Sequence, residues 1–308
     1  MKRRFLTGFA ALLVLAATQS GLKADNFYMG GGDKDCEVCE KGCEVCSPSG
    51  GLYVGFEAAV LKPHMGSLGF SGLGHPSAQI TPNFDYQFSP RIWVGWKNCE
   101  GLGVRATYWT FDADARTGLG PHGDILPGVE DLGIGLGLEA QTFDIEATQD
   151  GCWGALQFEL SGGLRYGKMR TDLFASGTAI QGPEVGAGLA AEFEGIGPTI
   201  GLDVRRAIGS RGLSLVGRTQ ASWLYGTTDA FLTGELDFID LTVTAEDHMM
   251  QVYEVGLGIE WATTFSNGNQ LTAGLMWEAQ AWEWSPVASL LHQDIGLSGP
   301  TFTVAWAR

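Results

Sequence analysis

Thirteen charged residues stand on the polar parity of stretches whose alternate positions are apolar: Glu57, Arg91, Arg105, Asp144, Glu146, Glu159, Arg165, Asp203, Arg205, Arg218, Glu254, Glu260 and Glu278. Side chains two apart on an extended chain share a face, so these groups would collect on one side of a sheet. Carboxylates and guanidiniums gathered around a lumen can create a transverse field that sorts ions. The same side chains can instead pair across strands and fill a small barrel as a structural network. Residue types alone leave both outcomes open.

The cysteines and histidines are the other chemistry-bearing residues. Cys36-Glu37-Val38-Cys39 is repeated at Cys43-Glu44-Val45-Cys46. Paired C-x-x-C units suggest zinc, yet zinc ribbons and fingers separate their pairs by about 12–20 residues. The spacer here is far shorter, and thiols of exported proteins tend to oxidise, so disulfides within this segment are favoured over metal, with redox activity third. Cys99 and Cys152 fall in two short turns that would share a rim, which predicts a Cys99–Cys152 disulfide. The histidines (His64, His75, His122, His248 and His292) fall at strand tops or in long connections. Asp247-His248 could serve a hydrolase at the rim if a nucleophile stood within reach, although a surface His beside Asp is usually only solvated. No G-x-S-x-G, Walker A or H-E-x-x-H pattern occurs, and Gly133-Ile134-Gly135-Leu136-Gly137 lacks the spacing of a dinucleotide fingerprint. No catalytic residue, metal or cofactor is therefore assigned.

The elements that must hold these residues are strands. Glycine, 46 of 308 residues, disfavours helix interiors, and aromatics make up 11%. A formal charge of -16 makes nucleic acid an unsuitable partner. Met1-Lys2-Arg3-Arg4 followed by the apolar stretch Phe5–Ala17 has the layout of a secretory signal peptide, cleaved after Ser20 or Ala24. Residues 25–49 read as a Cys-rich periplasmic linker. Beyond it, period-two alternation recurs at 51–62, 92–97, 102–108, 138–148, 153–166, 196–205, 213–225, 251–261, 271–281 and 302–306. On residues 138–148 the parity flips above position 141, which predicts a bulge or the end of an embedded section. Short Gly-, Asn- and Asp-rich turns (97–101, 150–152, 209–212 and 266–269) alternate with long connections near 63–82, 114–132, 170–186, 229–246 and 283–294. That alternation predicts a single antiparallel up-and-down transmembrane β-barrel over 50–308, of about ten strands within a range of 8–12. Closure removes the free edges that hydrocarbon would penalise. Trp96, Tyr108, Tyr166, Trp223, Tyr225, Trp261, Trp277 and Trp306 lie on the apolar parity as candidates for aromatic girdles.

Gly50-Gly51-Leu52-Tyr53-Val54-Gly55-Phe56-Glu57-Ala58 with Leu61-Lys62-Pro63 resembles the opening strand of the Legionella-type major outer-membrane protein family, planctomycete-like members included. Phe143-Asp144-Ile145-Glu146, Gly162-Gly163-Leu164-Arg165-Tyr166 and Tyr253-Glu254-Val255-Gly256-Leu257-Gly258 are similar to its later strands. The resemblance implies a pore-forming barrel in the bacterial outer membrane, in contact with its lipids. The expected function is a passive diffusion channel for ions and small hydrophilic solutes, cation-preferring because acids exceed bases. Porins of this general kind often associate, so a homo-oligomer is compatible with the resemblance. A closed structural or adhesive surface barrel working through its external loops is the alternative, and a rim-located hydrolase a remoter one.

Overall fold

The computed structural model describes residues 50–66, 68–70, 78–80, 82–118, 129–179, 184–209, 211–234, 240–283 and 294–308. The segments expected as signal peptide and periplasmic linker, with Cys36, Cys39, Cys43 and Cys46, lie outside them. Among the described residues there is no helix, and so none long and apolar enough to cross a membrane. The strands are β1 (Gly51–His64), β2 (Leu68–Phe70), β3 (Ala78–Ile80), β4 (Gln87–Lys97), β5 (Leu102–Gly118), β6 (Val129–Trp153), β7 (Leu156–Ala179), β8 (Glu184–Ala207), β9 (Leu213–Gly234), β10 (Asp240–Thr264), β11 (Gln270–Glu283) and β12 (Ile295–Ala307).

β2 and β3 form a small ribbon in the first long connection, and the other ten strands close into one barrel. Each pairs antiparallel with its neighbour in sequence, and β1 pairs with β12 to seal the wall, Phe56 opposite Val304 and Glu57 opposite Thr303. Closure leaves the barrel no free edge. Nine of the ten stretches that alternate in the sequence lie wholly within strands, and 153–166 spans the end of β6, a turn and the first part of β7. The sequence placed a short turn at 150–152, but β6 runs on to Trp153 and the hairpin closes through Gly154 and Ala155. Glycines with positive φ sit at all four short turns: Gly101, Gly154, Gly209, Gly212 and Gly268. At this rim glycine supplies the left-handed backbone that tight hairpins need.

The opposite end differs from expectation. Much of the chain expected as connection there is strand: β5 and β6 extend to Gly118 and from Val129, and β7 and β8 to Ala179 and from Glu184. β6 has 25 residues, whereas a tilted crossing of a bilayer needs about 9–11. More than half of such a strand must stand clear of any membrane.

The extension explains the parity change on β6. Pairing of β6 with β7 runs without interruption from Gly133 to Trp153, and the register shift lies further up, between Glu130 and Gly133. There is no bulge near 141. Even-numbered side chains face inward along the whole segment: Thr148, Glu146, Asp144 and Thr142, then Ala140, Leu138, Leu136 and Ile134, all buried. What changes is the chemistry of the two faces. Outward residues pass from exposed Ile145 and Phe143 to Gln141 and exposed Glu139. The embedded section ends there, which is the second of the two outcomes the sequence allowed.

Candidate functional site

The interior is built in two layers. Near the short turns it is ionic, and all thirteen charged residues picked out by alternation point into it. Arg91 on β4 donates from Nη1 to Glu57 Oε2 on β1 at 2.7 Å, and from Nη2 to Glu254 Oε2 on β10 at 2.9 Å and Glu278 Oε1 on β11 at 2.8 Å. Arg165 on β7 grips Asp144 on β6 through Nε and Nη2, both at 2.7 Å, and reaches Glu254 Oε1 through Nη1 at 2.5 Å. Arg218 on β9 donates to Glu57 Oε1 at 2.8 Å and to Asp203 on β8 at 3.0 Å. One connected network therefore includes β1, β4, β6, β7, β8, β9, β10 and β11, and it ties opposite walls rather than only neighbouring strands.

A second group stands closer to the turns. Arg105 bridges Glu159 at 2.7 Å and Glu146 at 2.9 Å. Lys97 bridges Asp150 at 2.8 Å and also contacts Glu159. Arg205 meets Glu260 at 3.1 Å. Lys97 and Asp150 share the inward parity but were not singled out from the sequence, because each sits beside a turn where alternation ends. Remaining carboxylate lone pairs are taken by neutral donors: Gln280 and Thr301 on Glu278, Thr303 on Glu57, Ser161 and Gln220 on Glu146. Such complete pairing is what a charge needs when it leaves water. Among the central members, Glu57 is 0% exposed, Asp144 2% and Arg165 3%. Aromatic rings fill the space nearest the turns. A Cβ on Gly55 would lie 2.0 Å from the Trp93 ring, and one on Gly95 would lie 2.3 Å from Tyr53, so these glycines make room for them.

Directly above the ionic layer the same inward parity turns apolar. Leu61, Trp109, Phe111, Leu138, Met169, Phe193, Leu224, Met250, Val252, Trp282 and Leu297 form a buried cluster, joined by Phe84 from the segment before β4. Trp109 stacks on Trp282 with ring centroids 5.7 Å apart and on Phe111 at 6.3 Å. This is the core of an ordinary soluble protein, placed inside a barrel.

The outer wall mirrors the interior. An outward row runs hand to hand across seven strands as Ile92, Tyr108, Phe143, Tyr166, Ile196, Tyr225 and Met249. Below it the wall is mostly apolar, with Gln251 and Thr219 among its few polar positions. Above it β5 carries exposed Asp112, and β7 and β8 carry Lys168, Arg170, Glu192 and Glu194, with Lys168 and Glu192 paired at 2.5 Å. Of the expected girdle residues, Tyr108, Tyr166 and Tyr225 lie in this upper row. Trp223 and Trp277 lie on the wall beneath it, and Trp96, Trp261 and Trp306 stand near the short-turn rim.

Cys99 lies in the β4–β5 turn and Cys152 at the end of β6, and each is held in a disulfide. His248 follows a register shift in β10 between Ala245 and His248. Among the described residues no group of three or more His, Cys, Asp or Glu side chains could hold a metal ion.

The architecture is similar to that of several solved proteins. The outer membrane protease OmpT of Escherichia coli is 12% identical, with 89% of this chain and 99% of that chain covered and a TM-score of 0.49. A major outer membrane protein of Thermus thermophilus is 12% identical over 84% of this chain and 99% of that one, TM-score 0.35. The toluene transporter TbuX of Ralstonia pickettii is 8% identical over 84% and 89%, TM-score 0.29. No curated protein matches the chain in sequence. A family model described as Legionella pneumophila major outer membrane protein precursor matches residues 78–308, starting after β1, on which the resemblance opened. With that match over most of its length, this closed ten-stranded barrel belongs to the Legionella major outer membrane protein family and to the bacterial outer membrane.

Proposed function

We propose that this protein is a closed outer-membrane barrel without a standing aqueous passage, and that its working surface is the section projecting beyond the lipid. One observation carries the reading: the cross-wall network of Arg91, Arg165 and Arg218 lies directly beneath an apolar plug containing Trp109, Phe111, Phe193 and Trp282. A hydrated ion crossing the interior would have to part both layers. The first costs buried ion pairs and the second costs well-packed aromatic contacts, each several kcal/mol. The cation-preferring diffusion channel expected from the sequence would need water standing between these side chains. Below the aromatic row the apolar wall faces lipid.

Single-channel recording tests the proposal. Protein shown to be folded and inserted in a planar bilayer should give no stepwise conductance under voltage and a salt gradient. Reproducible openings would overturn the closed reading in favour of the channel, and the sign of the reversal potential would then report whether the acidic excess selects cations.

A further inference from the structure

The wall holds a serine–histidine pair at the seam where the barrel closes. His64 on β1 and Ser298 on β12 are 234 residues apart in sequence, yet His64 Nε2 lies 2.9 Å from Ser298 Oγ. Both side chains point outward. Along β1 the outward residues run Val54, Phe56, Ala58, Val60, Lys62 and His64, and along β12 they run Phe302, Pro300, Ser298 and Gly296. The pair thus stands where the apolar wall gives way to polar residues. An imidazole nitrogen within hydrogen-bond reach of a hydroxyl is the arrangement that turns serine into a nucleophile.

The surroundings suit a substrate. Lys62 pairs directly with Ser298 in the β1–β12 register, which places its Cβ about 4.5–5.5 Å from that of Ser298. Its ammonium donates to Asn83 Oδ1 at 3.3 Å and lies 6.0 Å from the centre of the Tyr86 ring. Both contacts draw the ammonium toward the segment before β4, on the far side of β1 from Ser298. On the side away from Lys62, Ser298 borders Ala279, and Gly296 pairs with both His64 and Ala281. These residues keep side-chain bulk low on that flank of the pair. Toward the short turns, Trp277 and Phe302 are exposed on the lipid-facing wall, where an acyl chain could lie.

We propose that Ser298 and His64 form an outward-facing esterase site at the outer edge of the lipid, acting on carboxylic esters of acyl chains. Ser298 Oγ bonds to the ester carbonyl carbon while its proton passes to His64 Nε2. The carbonyl electron pair moves onto oxygen. Collapse of this intermediate breaks the bond to the alcohol, which leaves with the His64 proton and an acyl-Ser298 behind. Water then adds to the acyl carbon and gives its proton to His64. Release of the carboxylic acid returns that proton to Ser298, so the sum is ester plus water to acid plus alcohol. The site is independent of whether the interior conducts.

The test uses the folded full chain in detergent micelles with a fluorophosphonate probe, p-nitrophenyl butyrate and p-nitrophenyl laurate. Peptide mass mapping should find the phosphonate on Ser298. Ser298→Ala should abolish both labelling and turnover, and His64→Ala should lower turnover about 10²-fold or more. His248→Ala should leave the rate alone. Folding of each variant is checked by heat-modifiable migration on gels. Wild-type protein that is folded yet neither labelled on Ser298 nor faster than Ser298→Ala would overturn the proposal, as would hydrolysis that survives Ser298→Ala.

Discussion

Arg165→Met separates a dry interior from a wet one. Arg165 is 3% exposed, grips both oxygens of Asp144 and reaches Glu254. Methionine fills much of the same volume but donates nothing. Glu254 keeps its bond from Arg91, whereas Asp144, 2% exposed, loses its bidentate partner. If the layer is desolvated as the fold implies, stranding a buried carboxylate costs about 3–5 kcal/mol. If instead water fills the lumen, both ions are solvated before and after, and the loss falls to about 0–1 kcal/mol. Urea titration of the protein refolded into lipid vesicles, followed by tryptophan fluorescence, reads the difference from the midpoint and slope. The double variant Arg165→Met with Asp144→Leu should recover most of the loss, because exchanging a buried pair for apolar residues of similar size is often neutral. A single-variant cost below about 1 kcal/mol would refute the dry plug and with it the closed reading.

Three further outcomes follow from the same layers. Ile145→Arg, on the lipid-facing wall, should destabilise the inserted barrel by about 2–4 kcal/mol, whereas Glu139→Arg, above the aromatic row, should change it by under ~1 kcal/mol; equal effects in vesicle unfolding would misplace the boundary. Trp109→Ala should cost about 3–5 kcal/mol by thermal or urea unfolding, and the double variant with Trp282→Ala should still be silent in bilayers, because the ionic layer beneath stays intact. Gly101→Ala should cost about 1–2 kcal/mol for its φ of +80° alone, with more from a Cβ only 2.7 Å from that of Asp150; a neutral Ala variant would contradict the turn geometry.

The strand count was legible because period-two alternation is a local signal, and each of the ten stretches carries its own apolar face. The inward direction of Glu57, Arg165 and Glu254 was legible for the same reason. What those charges touch was not. Arg91 meets Glu278 across 187 residues and Arg218 meets Glu57 across 161. Contacts across a closed barrel depend on shear and closure, which no local pattern encodes. Strand ends were misjudged where the polarity rule itself changed sign. Leu136, Leu138 and Ala140 share a face with Asp144 and Glu146, so a test for apolar side chains facing outward breaks down at 141 although the backbone continues. His64 and Ser298 were hidden still more fully, because only the closing β1–β12 register brings them together.

Three independent features change at about the same height on the wall. Outward side chains pass from Phe143 and Ile145 to Gln141 and Glu139, inward ones pass from Asp144 and Glu146 to Ala140 and Leu138, and the aromatic row crosses through Phe143. A single cause accounts for all of them. Where lipid surrounds the barrel, apolar surface gains nothing by turning inward, so the wall takes the apolar residues and the interior takes polar groups that can satisfy one another. Where water surrounds it, the hydrophobic effect works in its usual direction and the same backbone buries Leu138, Met169 and Trp282. Placing the ionic layer higher would set charged groups in an interior whose outer wall is no longer constrained to be apolar, with no gain to offset their desolvation. Placing the apolar core lower would leave both faces of each strand apolar within the lipid, with no solvent preference to specify which face turns inward. The inversion therefore fixes the depth of the barrel in the membrane, and that depth sets Ser298 and His64 at the edge of the lipid.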